Sequence, residues 1–79
     1  MAAKAFVLIE TAVGRNKEVV AALSQLEGVK SVDTVTGPYD VIVVIEGKNL
    51  SDVGDLVTGK IHPIAGITRT VTCLTIAAT

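Results

Sequence analysis

The sequence predicts an α+β domain in which two strand–helix–strand units interleave in one four-stranded antiparallel sheet. Three observations predict it. Two continuous apolar runs, Ala5–Ile9 and Val41–Ile45, each open one half of the chain. Each run is followed by a stretch of helical periodicity and then by a Gly-aliphatic pair, Gly28-Val29 in one half and Gly66-Ile67 in the other. Val19 and Val57 fall at matching places within the two helical stretches.

The elements follow in order. Ala5-Phe6-Val7-Leu8-Ile9 is a β-rich run that ends before Gly14. A helix is expected from about Arg15 to Leu26, because Val19, Ala22, Leu23 and Leu26 recur at i, i+3, i+4 and i+7. Gly28 stands where a helix C-terminal glycine belongs. Val29 to Thr36 alternates branched and polar residues, as a strand with one wet face or edge does. Gly37-Pro38 breaks it, and Asp40–Glu46 forms the next strand. Gly47-Lys48-Asn49 is a turn, and a second helix starts with Asn49 or Ser51 as its N-cap. Val53, Leu56 and Val57 share one face of that helix; Gly54 and Gly59 weaken it, and His62-Pro63 ends it. Ile67 to Ile76 is the last strand. The order βαββαβ is the ferredoxin-like arrangement.

That arrangement centres the first and third strands, and their continuous apolar character requires both faces to be dry. Both crossovers are right-handed, so both helices cover the same face. The other face is left bare, and a bare apolar face on a small domain marks an association surface. Two sheets packed face to face as a two-fold dimer, an α/β barrel-like assembly, is the simplest solution. Val43 and Val44 are the candidate interface residues, since one of two neighbours in a strand must face the partner sheet.

Composition supports association and excludes several classes. The chain has 79 residues, 49% of them hydrophobic and 3% aromatic, with 19% charged. A domain of this size buries only about 60% of its unfolded surface and usually needs a staple or a partner. One cysteine and one histidine supply neither a disulfide nor a tetrahedral metal site, so no metal or cofactor is expected. A net charge of −1 without a basic cluster argues against direct nucleic acid binding. The apolar runs are far shorter than the roughly 20 residues of a membrane span, the start lacks a signal-peptide pattern, and the unpaired thiol suits the cytoplasm. No paired cysteines follow the first strand, no aromatics line the third, and no phosphate-cradling or Ser–His–Asp pattern is legible. His62 reads as an ordinary solvated histidine and Cys73 as a buried, inert thiol. Asp52 and Asp55 suit a helix N-terminus. The chain is therefore expected not to be an enzyme.

One segment exceeds this background. Thr36-Gly37-Pro38-Tyr39-Asp40 joins the second and third strands with a Gly-x-aromatic-Asp pattern. Together with Gly14 after the opening strand, Leu26-Glu27-Gly28-Val29 and Ile64-Ala65-Gly66-Ile67-Thr68-Arg69-Thr70, it resembles the effector-binding (RAM) domain of the Lrp/AsnC transcription regulators across essentially all of residues 1–79. The resemblance implies sheet-paired dimers that assemble into rings and bind small effectors, typically amino acids, between dimers. By position it implies a pocket of Gly37, Tyr39 and Asp40, with Thr70 and Thr72 from the last strand. Backbone amides, hydroxyls and a carboxylate would suit a zwitterion. Full-length members carry a helix-turn-helix before this domain, and this sequence opens directly on the first strand. The expectation is a single stand-alone domain without its own DNA-binding part, which could co-assemble with a full-length relative.

Other readings remain open. An ACT-type amino acid sensor shares the element order and has a glycine near Gly14's position. A structural oligomerisation adaptor and a small dimeric barrel enzyme share the architecture. Asp40 could serve only to cap the Gly37-Pro38 turn, Tyr39 only as a half-buried wedge, and the threonines only as strand formers.

Overall fold

The computed structural model describes residues 2–76. Strands β1 (Ala3–Thr11), β2 (Val29–Thr34), β3 (Val41–Gly47) and β4 (Ile67–Leu74) form one antiparallel sheet in the order β2-β3-β1-β4. Helix α1 (Asn16–Ser24) and helix α2 (Leu50–Leu56) cover one face. The expected ferredoxin-like order and the two central strands are both observed. The opening strand is longer than its apolar run, because Lys4, Glu10 and Thr11 extend the pairing beyond it. The last strand ends at Leu74 rather than Ile76, and α1 ends at Ser24 rather than Leu26. Gln25 and Leu26 instead donate to Ala22 O and Leu23 O at 3.2 Å, a tightened final turn.

The core lies between helices and sheet. Ala5, Val7 and Ile9 of β1 and Val41, Val43 and Ile45 of β3 are fully buried, together with Val19 and Leu23 of α1 and Ile61. Side chains alternate across a strand, so Phe6, Leu8, Ile42 and Val44 point to the uncovered face. Val43 is thereby corrected to a residue of the chain's own core, and Val44 is the member of the pair on the open face.

After α2 the helix widens into a π-helical turn, Val57–Ile61, closed by His62 N–H donating to Val57 O at 2.9 Å. Val53, Val57 and Ile61 are all buried, four residues apart. In an α-helix each fourth residue drifts about 40° around the axis. The wider turn corrects that drift and keeps Ile61 on the sheet.

The two helix starts differ. Asn49 caps α2: its Oδ1 accepts from Asp52 N–H at 2.9 Å, while Asp52 Oδ2 accepts from Lys48 N–H at 3.1 Å. The N-cap position of α1, Arg15, makes no side-chain capping bond. Asn49→Ala is accordingly expected to lower stability by about 1 kcal/mol, read as a fall in melting temperature. An unchanged melt would mean that the cap is redundant.

Gly28 and Gly66 repeat one device. Both have positive φ, +89° and +99°. Gly28 O accepts from Glu46 N–H and Gly66 O from Ala12 N–H, each at 2.8 Å. The glycine leaving each helix thus fastens the end of the other half's central strand.

Candidate functional site

The turn between β2 and β3 sits at the end of the sheet where β1 finishes. Gly37 has φ +136° and is exposed, as is Pro38, whereas Tyr39 and Asp40 are half-buried. Asp40 is the anchor. Its N–H donates to Ile9 O at 2.9 Å, its carbonyl accepts from Val35 N–H at 2.9 Å, and its Oδ2 accepts from Thr11 N–H at 2.8 Å. Thr11 N–H lies two residues beyond the last β1–β3 pair, Ile9 with Val41. Where β3 has no backbone carbonyl left to offer, the Asp40 carboxylate takes its place. The capping role weighed for Asp40 is therefore real, with a partner 29 residues away rather than within the turn. The other carboxylate oxygen, Oδ1, carries no hydrogen bond among the described residues.

Thr70 and Thr72 lie elsewhere. They pair with Ile9 and Val7 across β1, on the helix-ward side of β4. Ile9 pairs in turn with Val41, so two strand spacings, about 10 Å, separate Thr70 from β3. Within one chain the threonine hydroxyls and Asp40 form two separate groups. Thr70 Oγ1 instead meets His62 Nε2 at 2.8 Å. His62 is exposed, as expected, but this contact was not foreseen.

The uncovered face of the sheet is the other candidate surface. Phe6 and Leu8 occupy its centre, flanked by Val44 and Ile42 on one side and Cys73 and Val71 on the other. Phe6 is 37% exposed. Lys4, Glu46, Glu10, Arg69 and Asp33 ring this apolar patch, with Arg69 Nη1 3.5 Å from Glu10 Oε2 and the Lys4 ammonium 5.3 Å from the Phe6 ring centre. Cys73 corrects the expectation of a buried thiol. It is exposed in the single chain, because its position in β4 places it on this face, opposite Phe6.

Among the described residues no cluster of three or more His, Cys, Asp or Glu could hold a metal ion, and no helix is long and apolar enough to cross a membrane. Two grooves of the chain run along the helices, one lined by Gln25, Leu26, Glu27, Asp55, Leu56 and Lys60, the other by Asn16, Lys17, Val20, Ala21 and Thr34. Neither touches the Thr36–Asp40 turn.

The order β2-β3-β1-β4, the Asp40 turn and the bare sheet face fit the fold named by the sequence resemblance. The family model of the Lrp/AsnC ligand binding domain matches residues 4–79. The chain belongs to this family. An uncharacterised HTH-type transcriptional regulator of Pyrococcus furiosus is 34% identical to this Lrp/AsnC domain over 56 residues, 71% of the chain and 37% of that protein. The match thus covers well under half the length of the curated relatives. The crystal structure of TTHA0845 from Thermus thermophilus is 35% identical, with a TM-score of 0.93 covering 98% of this chain and 96% of that one. A feast or famine regulatory protein from M. tuberculosis, complexed with L-methionine, shares the fold at 22% identity and a TM-score of 0.82, over 96% of this chain and 51% of its own.

Two residues that hold the candidate turn escaped the sequence reading, Thr11 and Asn16. Thr11 gives Asp40 its partner, and its hydroxyl donates to Asn16 Oδ1 at 2.9 Å. The only local signal was a threonine at a strand end followed five residues later by an asparagine at a helix start, which is common in loops.

Proposed function

We propose that this Lrp/AsnC domain binds a small amino acid through the Thr36–Asp40 turn and acts as a dimeric, regulatory and non-catalytic module of transcription control. The observation that carries the reading is the Asp40 carboxylate: one oxygen is committed to Thr11, while the other remains for an ammonium group. Fold relatives crystallised with L-methionine, from M. tuberculosis and from Neisseria meningitidis, support an amino acid as ligand class. Because the turn is open on the single chain, we place the rest of the pocket on a neighbouring subunit, with Gly37 and Tyr39 near the ligand. Thr70 and Thr72 would reach it only from a second copy. We further propose that the domain itself, with a net charge of −1 and no basic cluster, has no direct affinity for duplex DNA.

Thermal melts against the common amino acids test the ligand. A ligand that binds only the folded state at a hundred times its Kd stabilises by about 2.7 kcal/mol, a rise of several degrees in a domain this small. Asp40→Asn is the informative variant. Its amide oxygen can still accept from Thr11 N–H, so the fold is expected to survive, while the lost charge removes the ammonium partner. The expected result is an unshifted variant melt beside a shifted wild type. If no amino acid shifts the wild type, or the variant shifts equally, the site assignment fails. The oligomerisation adaptor, favoured by the bare apolar sheet face, then becomes the better reading.

A further inference from the structure

We infer that Thr11 is a positioning residue for the effector turn and joins that turn to the first turn of α1 as one cooperative unit. The inference deepens the proposed effector site and rests on it for its ligand arm. Thr11 holds both sides at once. Its N–H donates to Asp40 Oδ2 at 2.8 Å and its O–H donates to Asn16 Oδ1 at 2.9 Å. Asn16 is the first residue of α1. All three residues are half-buried, so water competes with these bonds less than at a free surface.

Two independent features give the connection its weight. First, α1 starts without a side-chain N-cap, in contrast to α2, where Asn49 accepts from Asp52 N–H and the Asp52 carboxylate accepts from Lys48 N–H. An uncapped helix start frays readily. The Thr11 hydroxyl tethers it from outside. Second, the β1–β4 register shifts between Glu10 and Thr11. The regular ladder with β4 is thus interrupted at the residue that Asp40 takes up, which pairs with Ile67 only after the shift. Asp40 sets where Thr11 lies, and Thr11 sets where α1 begins.

The arrangement also fixes which atom of Asp40 meets a ligand. With Oδ2 occupied by Thr11 N–H, Oδ1 is the acceptor presented outward. Loosening Thr11 lets the carboxylate rotate and weakens the contact. Occupancy of the turn would in turn be felt at Asn16 and along α1.

The test uses four versions of the protein: wild type, Thr11→Val, Thr11→Ser and Asp40→Ala. Valine keeps the volume and the backbone N–H but removes the hydroxyl, and serine restores it. Without ligand, amide hydrogen exchange is expected to speed up at Val19, Val20 and Ala21, the first amides of α1 with intrahelical partners, in both Asp40→Ala and Thr11→Val, and to return to the wild-type rate in Thr11→Ser. Unchanged exchange in that helical turn overturns the inference. So does a uniform acceleration across the core, which is the mark of general destabilisation. With L-methionine as the probe, Thr11→Val is expected to bind about five-fold more weakly than wild type, the scale of one hydrogen bond, with Thr11→Ser within two-fold. Equal affinity of Thr11→Val and wild type also overturns it. If wild type itself fails to bind L-methionine, that result counts against the methionine reading of the site, and the ligand-free exchange alone decides the role of Thr11.

Discussion

Val44→Asp is expected to yield a folded monomer, and Val43→Asp an unfolded chain. The two residues are neighbours in β3, yet they face opposite ways. Val43 is fully buried under the helices among Val7, Ile45 and their neighbours. An unpaired carboxylate there costs several kcal/mol, against a total stability of roughly 4–12 kcal/mol for a domain of this length. Val44 lies on the bare face between Phe6 of β1 and Ser31 of β2. If that face packs against a second copy, as we propose, one substitution places two carboxylates in a dry sheet–sheet interface. The fold of the single chain loses nothing by it. Light scattering separates the outcomes: the wild type runs as a dimer or a multiple of it, and Val44→Asp at the monomer mass with its circular dichroism intact. A wild type that is monomeric at micromolar concentration, or a Val44→Asp variant of unchanged mass, rules out pairing through this face.

Gly28→Ala is expected to destabilise on the order of 2–3 kcal/mol, a fall of roughly ten degrees or more in melting temperature. Two causes add. At φ +89° any residue with a Cβ bears the left-handed penalty of about 1–2 kcal/mol. The added carbon would also lie 3.1 Å from Glu46 O and 3.1 Å from Leu56 Cδ2, and the carbonyl is held in the sheet. Gly14 provides the control. Its φ is +80°, but nothing lies within 4 Å of the position a Cβ would take, so Gly14→Ala should show the conformational penalty alone. Equal losses at the two sites would mean that the close approach at Gly28 relaxes without cost.

The element order was legible because burial and glycine placement speak locally. Continuous apolar runs mark central strands, and Gly28 and Gly66 mark helix exits. The direction of each side chain was less so. That Val43 is core and Val44 is not follows from strand register, which residues far away in the chain decide. The same holds for Cys73, whose face is set by its pairing with Phe6. The π-helical turn escaped because Gly59 reads as a weak helix, although the spacing of Val53, Val57 and Ile61 hinted at it. At the candidate site, the turn chemistry of Gly37-Pro38 was local and readable. The bond between Asp40 and Thr11 spans 29 residues and was not.

The strand order has a consequence for the chain during synthesis. β1 is made first, yet one of its two neighbours is β4, the last strand to emerge. At roughly 5–20 residues per second, an apolar central strand waits for seconds with an open side. β2 and β3 can pair with each other meanwhile, but Gly66, which fastens the end of β1 through Ala12 N–H, is still unmade. The nascent chain is therefore expected to stay susceptible to protease until β4 has cleared the ribosome, and then to become resistant in a single step. Nascent chains of increasing length, probed with protease, would show where that step falls.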